Sequence, residues 1–191
     1  MTGRTAGVVL AAGEGRRFGG PKAPAVVDGE RLVDRAVRTL RDGGCDPVLV
    51  VLGAWVGEVA AAHVVVNDDW ASGMGSSLRH GIAALAAYPD VDRAVVSLVD
   101  LPGLTAAAVR RLVEDGGDLG ACTYDGVRGH PVVFARSHWA GVVAGATGDK
   151  GARDYLRSHA AQVVLVEVGD VADGTDLDFP VAGPAVAGSA Q

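Results

Sequence analysis

Apolar residues fall into short runs along the chain, and these runs alternate with segments whose apolar positions repeat at helical spacing. Seven runs read as strands: 7–12 (GVVLAA), 46–53, 63–67, 92–100 (DRAVVSLVD), 118–124, 130–135 (HPVVFA) and 161–168. They are rich in valine and too short for helices, which suits strands buried on both faces. Four segments read as helices: 30–44, 75–88, 105–117 and 151–160. In the first, Leu32, Ala36, Val37 and Leu40 share one face and Gly43 and Gly44 supply the stop. In the third, Thr105 is placed to cap the start and Gly116 to end it. Alternation of this kind predicts an α/β fold, a Rossmann-like three-layer sandwich around a mostly parallel sheet. One domain over residues 1–180 accounts for the pattern, and the small, uncharged stretch 181–191 reads as a loose tail.

Composition narrows the class. An apolar share of 49% in 191 residues is that of a globular chain, and no run approaches the roughly 18 apolar residues of a membrane span. The expectation is a cytoplasmic protein with no membrane partner. A formal net charge of −6 with no basic block argues against nucleic acid as a partner. Cys45 and Cys122 are too few and too far apart for a disulfide framework or thiolate metal cage, so both read as ordinary thiols.

The first strand runs directly into LAAGEGRRFGGPK, residues 10–22. A loop at the carboxyl end of such a strand faces the ligand crevice of an open α/β sheet. Two familiar phosphate motifs fail here. After Gly13 and Gly15 the third dinucleotide position is Phe18, and a Walker loop is broken by Pro21 before Lys22 and Ala23 after it. What remains is chemistry: glycines expose backbone N–H groups, and Arg16, Arg17 and Lys22 bring positive charge suited to a polyphosphate. A solvated surface turn is the bland alternative. Asp100 ends an apolar strand and precedes Pro102, so its carboxylate stands at the same edge of the sheet.

Read as LAAGxGxRxGxPK, the loop resembles the signature of the MobA-like nucleotidyltransferase family, closest to its molybdenum cofactor cytidylyltransferase branch. Further blocks follow in the family's order: NDDWASGMGSSLRHG (67–81), VDLP (99–102), RGHPVVF (128–134), GDKGAR (148–153) and DLD (176–178). The resemblance implies transfer of a nucleoside monophosphate from a triphosphate to a phosphate on an acceptor, with Mg²⁺ and release of pyrophosphate. It assigns Leu10, Ala11, Ala12 and Gly13 to base and ribose, Gly15 and Arg17 to the triphosphate, and Lys22 to the phosphates as the main catalytic cation. Ser76 and Ser77 would also contact the nucleotide. Asp100, Asp176 and Asp178 would hold the metal, and Arg128, Gly129 and His130 would meet the acceptor. Ala12, in LAAG rather than LAGG, favours CTP. Two departures bear on the acceptor: Leu101 stands where relatives carry Gln, and Phe179-Pro180-Val181-Ala182 replaces Thr-Pro-Glu-Asp. The implied function is transfer of CMP from CTP to a molybdopterin-type cofactor, with a molybdoenzyme as a downstream partner.

By themselves, Asp176 and Asp178 would pass for solvated loop acids and His130 for a histidine bonded to nearby backbone. His63 and His80 read as structural, Trp70 and Met74 as packing residues, Trp55 and Trp139 as core or interface. Two other functions fit the same crevice: an NAD(P)H- or flavin-dependent oxidoreductase, and a non-catalytic carrier of molybdenum cofactor.

Overall fold

A computed structural model describes residues 3–179; the expected tail at 181–191 lies outside the described residues. The first strand, β1 (Arg4–Leu10), is buried at every position after Arg4, and its uninterrupted small and branched residues leave no polar face to turn to water. A two-residue hairpin, β2 (Val26–Val27) and β3 (Glu30–Arg31), follows the glycine loop and leads into α1 (Leu32–Asp42). Then come β4 (Val48–Leu52), β5 (His63–Val66), α2 (Met74–Ala84), β6 (Val91–Leu98) and α3 (Ala106–Asp115). The remainder is β7 (Leu119–Tyr124), β8 (Val127–Ala135), α4 (Arg136–Gly145), α5 (Arg153–Ser158) and β9 (Val164–Glu167).

The main sheet has seven strands in the order β5-β4-β1-β6-β8-β7-β9. All pairings are parallel except the two made by β8, which runs antiparallel to both β6 and β7. Successive strand residues feed opposite faces, as the pleat requires. Val9, Val50 and Leu52 pack with α1 and α3 through Val37, Leu40 and Leu112, whereas Val8, Leu49 and Val51 pack with α2 and α4 through Leu78, Ile82 and Val142. The result is the expected three-layer α/β sandwich. Thr105 caps α3 as its position implied, accepting the Ala108 N–H at 3.2 Å.

Two features differ from the sequence reading. Residues 136–145 form α4, although only Trp139 and Val142 of that helix are buried. The strand expected at 130–135 begins at Val127 and reverses direction, because Asp125 and Gly126, at φ of 50° and 77°, make the tight turn that joins β7 to β8.

The topology fixes where a ligand meets the chain. From β1 the chain moves outward to β4 and β5, then returns to place β6 on the other side of β1. The order therefore reverses between β1 and β6, where Leu10 pairs with Leu98 and the Val99 N–H continues the ladder to the Leu10 carbonyl at 3.2 Å. Such a reversal opens a crevice beyond the carboxyl ends of the strands.

Candidate functional site

The glycine loop leaves β1 at this reversal. Gly15 has φ +63°, and a side chain there would place its first carbon 1.9 Å from the Gly20 carbonyl oxygen. That oxygen's neighbours are tied down, since the Gly19 and Gly20 N–H groups both donate to the Gly15 carbonyl, at 2.9 and 3.1 Å. The loop is thus closed on itself and turns the chain so that Lys22 reaches back over the end of β6.

There Lys22 Nζ donates to Asp100 Oδ2 at 2.7 Å, and the two side chains are only 14% and 19% exposed. The Leu177 N–H donates to the Asp100 carbonyl at 2.9 Å, which brings the late acids beside the first. Asp178 lies 3.8 Å from Lys22 Nζ and 3.8 Å from the Arg17 guanidinium. Asp176 is held above the ordinary carboxylate range, first by partial burial, then by the negative charges of Asp100 and Asp178, with Lys22 opposing. Lys22 and Asp100, 78 positions apart, therefore form one electrostatic unit with Asp176 and Asp178.

A cleft of about 480 Å³ opens above them. One wall is Leu10 to Gly15 with Arg16 and Lys22; the other is Trp70, Gly73, Met74 and Ser77 near the start of α2, and Asp100 lies between. A second lobe of about 400 Å³ adjoins it and shares Leu10, Met74, Leu98 and Asp149. Its base is apolar, built from Leu78, Val96, Val132, Phe134 and Leu156, and its rim carries Arg128, His130, Lys150, Arg153 and Asp176. Burial keeps the His130 imidazole below its usual range, partly opposed by Asp100 and reinforced by Arg153 and Arg128. Tyr124 fixes this part of β8 by donating its hydroxyl to the His130 carbonyl at 2.6 Å.

Leu10 to Gly13, Gly15, Lys22, Ser77 and Asp100 line the first lobe, whereas Arg128, Gly129, His130 and Asp176 line the second. Three candidates stand apart from both. Ser76 is fully buried, donates to the Asp69 and Gly73 carbonyls and accepts from Asn67. Arg17 and Asp178 face each other at the outer edge, and Arg16, paired with Glu14, is the arginine on the cleft wall. Trp70 lines the cleft as well as packing against the core, Met74 lines it as an exposed side chain outside both core clusters, and Asp149 touches both lobes. The sequence signal for Asp149, Lys150 and Arg153 was the GDKGAR block, to which no role had been attached.

Among the described residues no group of three His, Cys, Asp or Glu side chains forms a closed metal cage. The donors that do meet here are carboxylate oxygens. That set fits a hard ion such as Mg²⁺, which binds through one or two carboxylates and completes its shell with water and substrate phosphates. Cys45 and Cys122 are buried and free, and neither lines the cleft.

A sheet whose order reverses at a glycine loop, with a lysine and acids gathered at the reversal, defines an α/β protein of the nucleotidyltransferase type. The chain belongs to the MobA-like NTP transferase family, whose domain matches residues 7–163. It is 39% identical over 188 residues to nicotine blue oxidoreductase of Paenarthrobacter nicotinovorans, covering 90% of this chain and 91% of that one. It is 36% identical over 107 residues to a probable molybdenum cofactor guanylyltransferase of Opitutus terrae, covering 53% and 50% of the two chains. Among solved structures, Rv0371c of Mycobacterium tuberculosis superposes with a TM-score of 0.76 at 29% identity, over 94% of this chain and 95% of that one. A manganese complex of the same mycobacterial protein also matches, with a TM-score of 0.69 at 27% identity, over 86% and 88%. Among the described residues no helix is long and apolar enough to cross a membrane.

Proposed function

We propose that the protein is a cytoplasmic, Mg²⁺-dependent nucleotidyltransferase that moves CMP from CTP to a phosphate of a molybdopterin-type cofactor and releases pyrophosphate. One observation carries this reading: a largely buried lysine and aspartate, 2.7 Å apart, under the closed glycine loop of a cleft large enough for a nucleotide. The ordered motifs from Leu10 to Asp178 support it, and so does membership of a family that includes a probable molybdenum cofactor guanylyltransferase. The manganese complex of the mycobacterial neighbour supports a divalent ion.

Transfer at an α-phosphate needs charge neutralisation and alignment more than it needs a covalent nucleophile. Leu10, Ala11, Ala12, Gly13 and Ser77 hold base and ribose along the first lobe, while Ser76 keeps Ser77 and the start of α2 in place through the Asn67 bonds. Gly15 and its neighbours present backbone N–H groups to the triphosphate, Lys22 neutralises its oxygens, and Arg17 with Arg16 attracts the departing pyrophosphate. Of Asp100, Asp176 and Asp178, one or two would directly hold Mg²⁺, which supplies charge neutralisation on the triphosphate when bound. The second lobe takes the acceptor: its apolar base accommodates a ring system, and Arg128, Lys150 and Arg153 orient the acceptor phosphate. Gly129 lets the rim pass close to the Tyr124 ring, which a side chain there would meet at 3.1 Å, and a neutral His130 exchanges hydrogen bonds there rather than charge. A molybdoenzyme would receive the product.

Pyrophosphate release is the test. It should require nucleotide, Mg²⁺ and acceptor together, with CTP preferred over GTP. Lys22→Ala and Asp100→Ala should each lose at least about tenfold, or ~1.4 kcal/mol of transition-state stabilisation. Undiminished turnover in both variants would reject the assignment; preference for GTP would move the base and leave the chemistry. A second reading, a nicotinamide- or flavin-dependent oxidoreductase, is favoured by the 39% identical nicotine blue oxidoreductase. Oxidation of NAD(P)H by a dye acceptor, lost in the cleft variants and accompanied by no pyrophosphate release, would select it. Tight binding of triphosphate and cofactor without either turnover would instead indicate a carrier.

A further inference from the structure

We propose that Lys22 occupies the metal's place on Asp100 in the nucleotide-free protein, and that its ammonium gives way to a divalent cation when a triphosphate enters. The inference rests on the nucleotidyl-transfer reading and adds to it the order in which charges assemble.

Three distances set the problem. Lys22 Nζ is 2.7 Å from Asp100 and 3.8 Å from Asp178, and Arg17 meets Asp178 at 3.8 Å. The carboxylate of Asp100 is therefore already neutralised, in a largely buried position where an unpaired charge would be costly. A dication approaching alone must share Asp100 with an ammonium a few ångströms away or expel it toward Asp178 and Asp176, which the same dication would also attract. A triphosphate changes the balance, because its oxygens give Lys22 new partners within the same cleft and leave Asp100 open to the metal. The motion required is small. The Lys22 carbonyl accepts the Ala25 N–H at 3.0 Å and Ala23 is fully buried, so the backbone is held and only the side chain swings. Metal and triphosphate should consequently reinforce each other's binding, with Lys22 as the element both displace.

The test counts free Mn²⁺ by electron paramagnetic resonance during titration of the full chain without nucleotide. Lys22→Met, checked for native circular dichroism, should bind Mn²⁺ at least about fivefold more tightly than wild type, although it has lost the reaction's main cation. Lys22→Gln provides a second variant with the same expectation, and Asp100→Asn should lose the tight site. Adding a non-hydrolysable CTP analogue, with the Mn²⁺ it chelates in buffer subtracted, should raise Mn²⁺ affinity in both proteins through the phosphate oxygens, and by a larger factor in wild type than in Lys22→Met. Equal or weaker Mn²⁺ binding in both folded Lys22 variants would overturn the proposal, as would an enhancement by bound analogue that is no larger in wild type than in Lys22→Met. If no triphosphate binds the wild type, the nucleotidyl-transfer reading fails by itself, and the nucleotide-free titration still decides the exchange at Asp100.

Discussion

Gly75→Ala should loosen the wall between the two lobes while adding a residue that helices favour. Gly75 is the second residue of α2, and a methyl group there would lie 2.7 Å from the Ala146 carbonyl carbon and 2.7 Å from the Thr147 nitrogen. Carbon atoms in contact settle at about 3.5–4.0 Å, so the 146–151 backbone must retreat by close to ~1 Å. Overpacking of this kind costs roughly 1–3 kcal/mol, and the better helix propensity of alanine returns at most about 1 kcal/mol. The net expectation is a loss of about 0–3 kcal/mol, with Tm lower by about 2–4 °C for each kcal/mol. The retreating segment carries Asp149, which lines both lobes, and leads into Arg153 of the second. Acceptor KM should therefore rise more than nucleotide Kd. Urea unfolding and separate nucleotide and acceptor titrations measure both effects, with Gly145→Ala as the control, since a methyl group at Gly145 meets nothing within 4 Å. If Gly75→Ala were stabilised by the full alanine gain and kept wild-type acceptor kinetics, the proposed contact between α2 and this loop would be refuted.

Thr105→Ala removes the acceptor for the Ala108 N–H and the donor to the Val171 carbonyl; urea unfolding should register a loss of about 1 kcal/mol, most of it restored in Thr105→Ser. Glu167 accepts the Gly126 N–H, the Thr123 hydroxyl and the Gly169 and Asp125 N–H groups, which lower its pKa from 4.5 to about 2. Because the folded value lies below the unfolded one, its stabilisation is present above about pH 4.5 and fades toward pH 2. The stability gap between wild type and Glu167→Gln should shrink over that window, and a constant gap would contradict the origin of the shift. Burial pushes both Cys45 and Cys122 up to about 12; a thiol reagent at pH 8 should label them only after denaturation, and rapid labelling of the native chain would place a thiol at the surface.

Much of the site could be read before the fold was known, because its residues stand where strands end. A valine-rich run stopping at Ala12 and another at Asp100 are visible as strings, and a parallel sheet brings their carboxyl ends together. The meeting of Lys22 with Asp100 follows from that placement, while the approach of Asp178 depended on the family resemblance. Other features had weaker signals. Helix α4 has two glycines and few large apolar residues, too sparse for a recognisable stripe. The direction of β8 was available in Asp125-Gly126, a hairpin dipeptide that the periodicity reading passed over. Which arginine faces the cleft depends on the left-handed turn at Gly15, and no repeat along the chain encodes that rotation. Asp149 enters both lobes only because its loop packs on α2, a contact made across more than 70 residues.

The shared partition of Met74 and Asp149 has a consequence for ligand design. Compounds that fill neighbouring chambers can be joined by a tether spanning one side chain, so the second fragment arrives at high effective concentration and little is lost to linker freedom. A single molecule with a polyanionic head and a flat apolar tail should thus exceed either half in potency by far more than their added contacts would suggest.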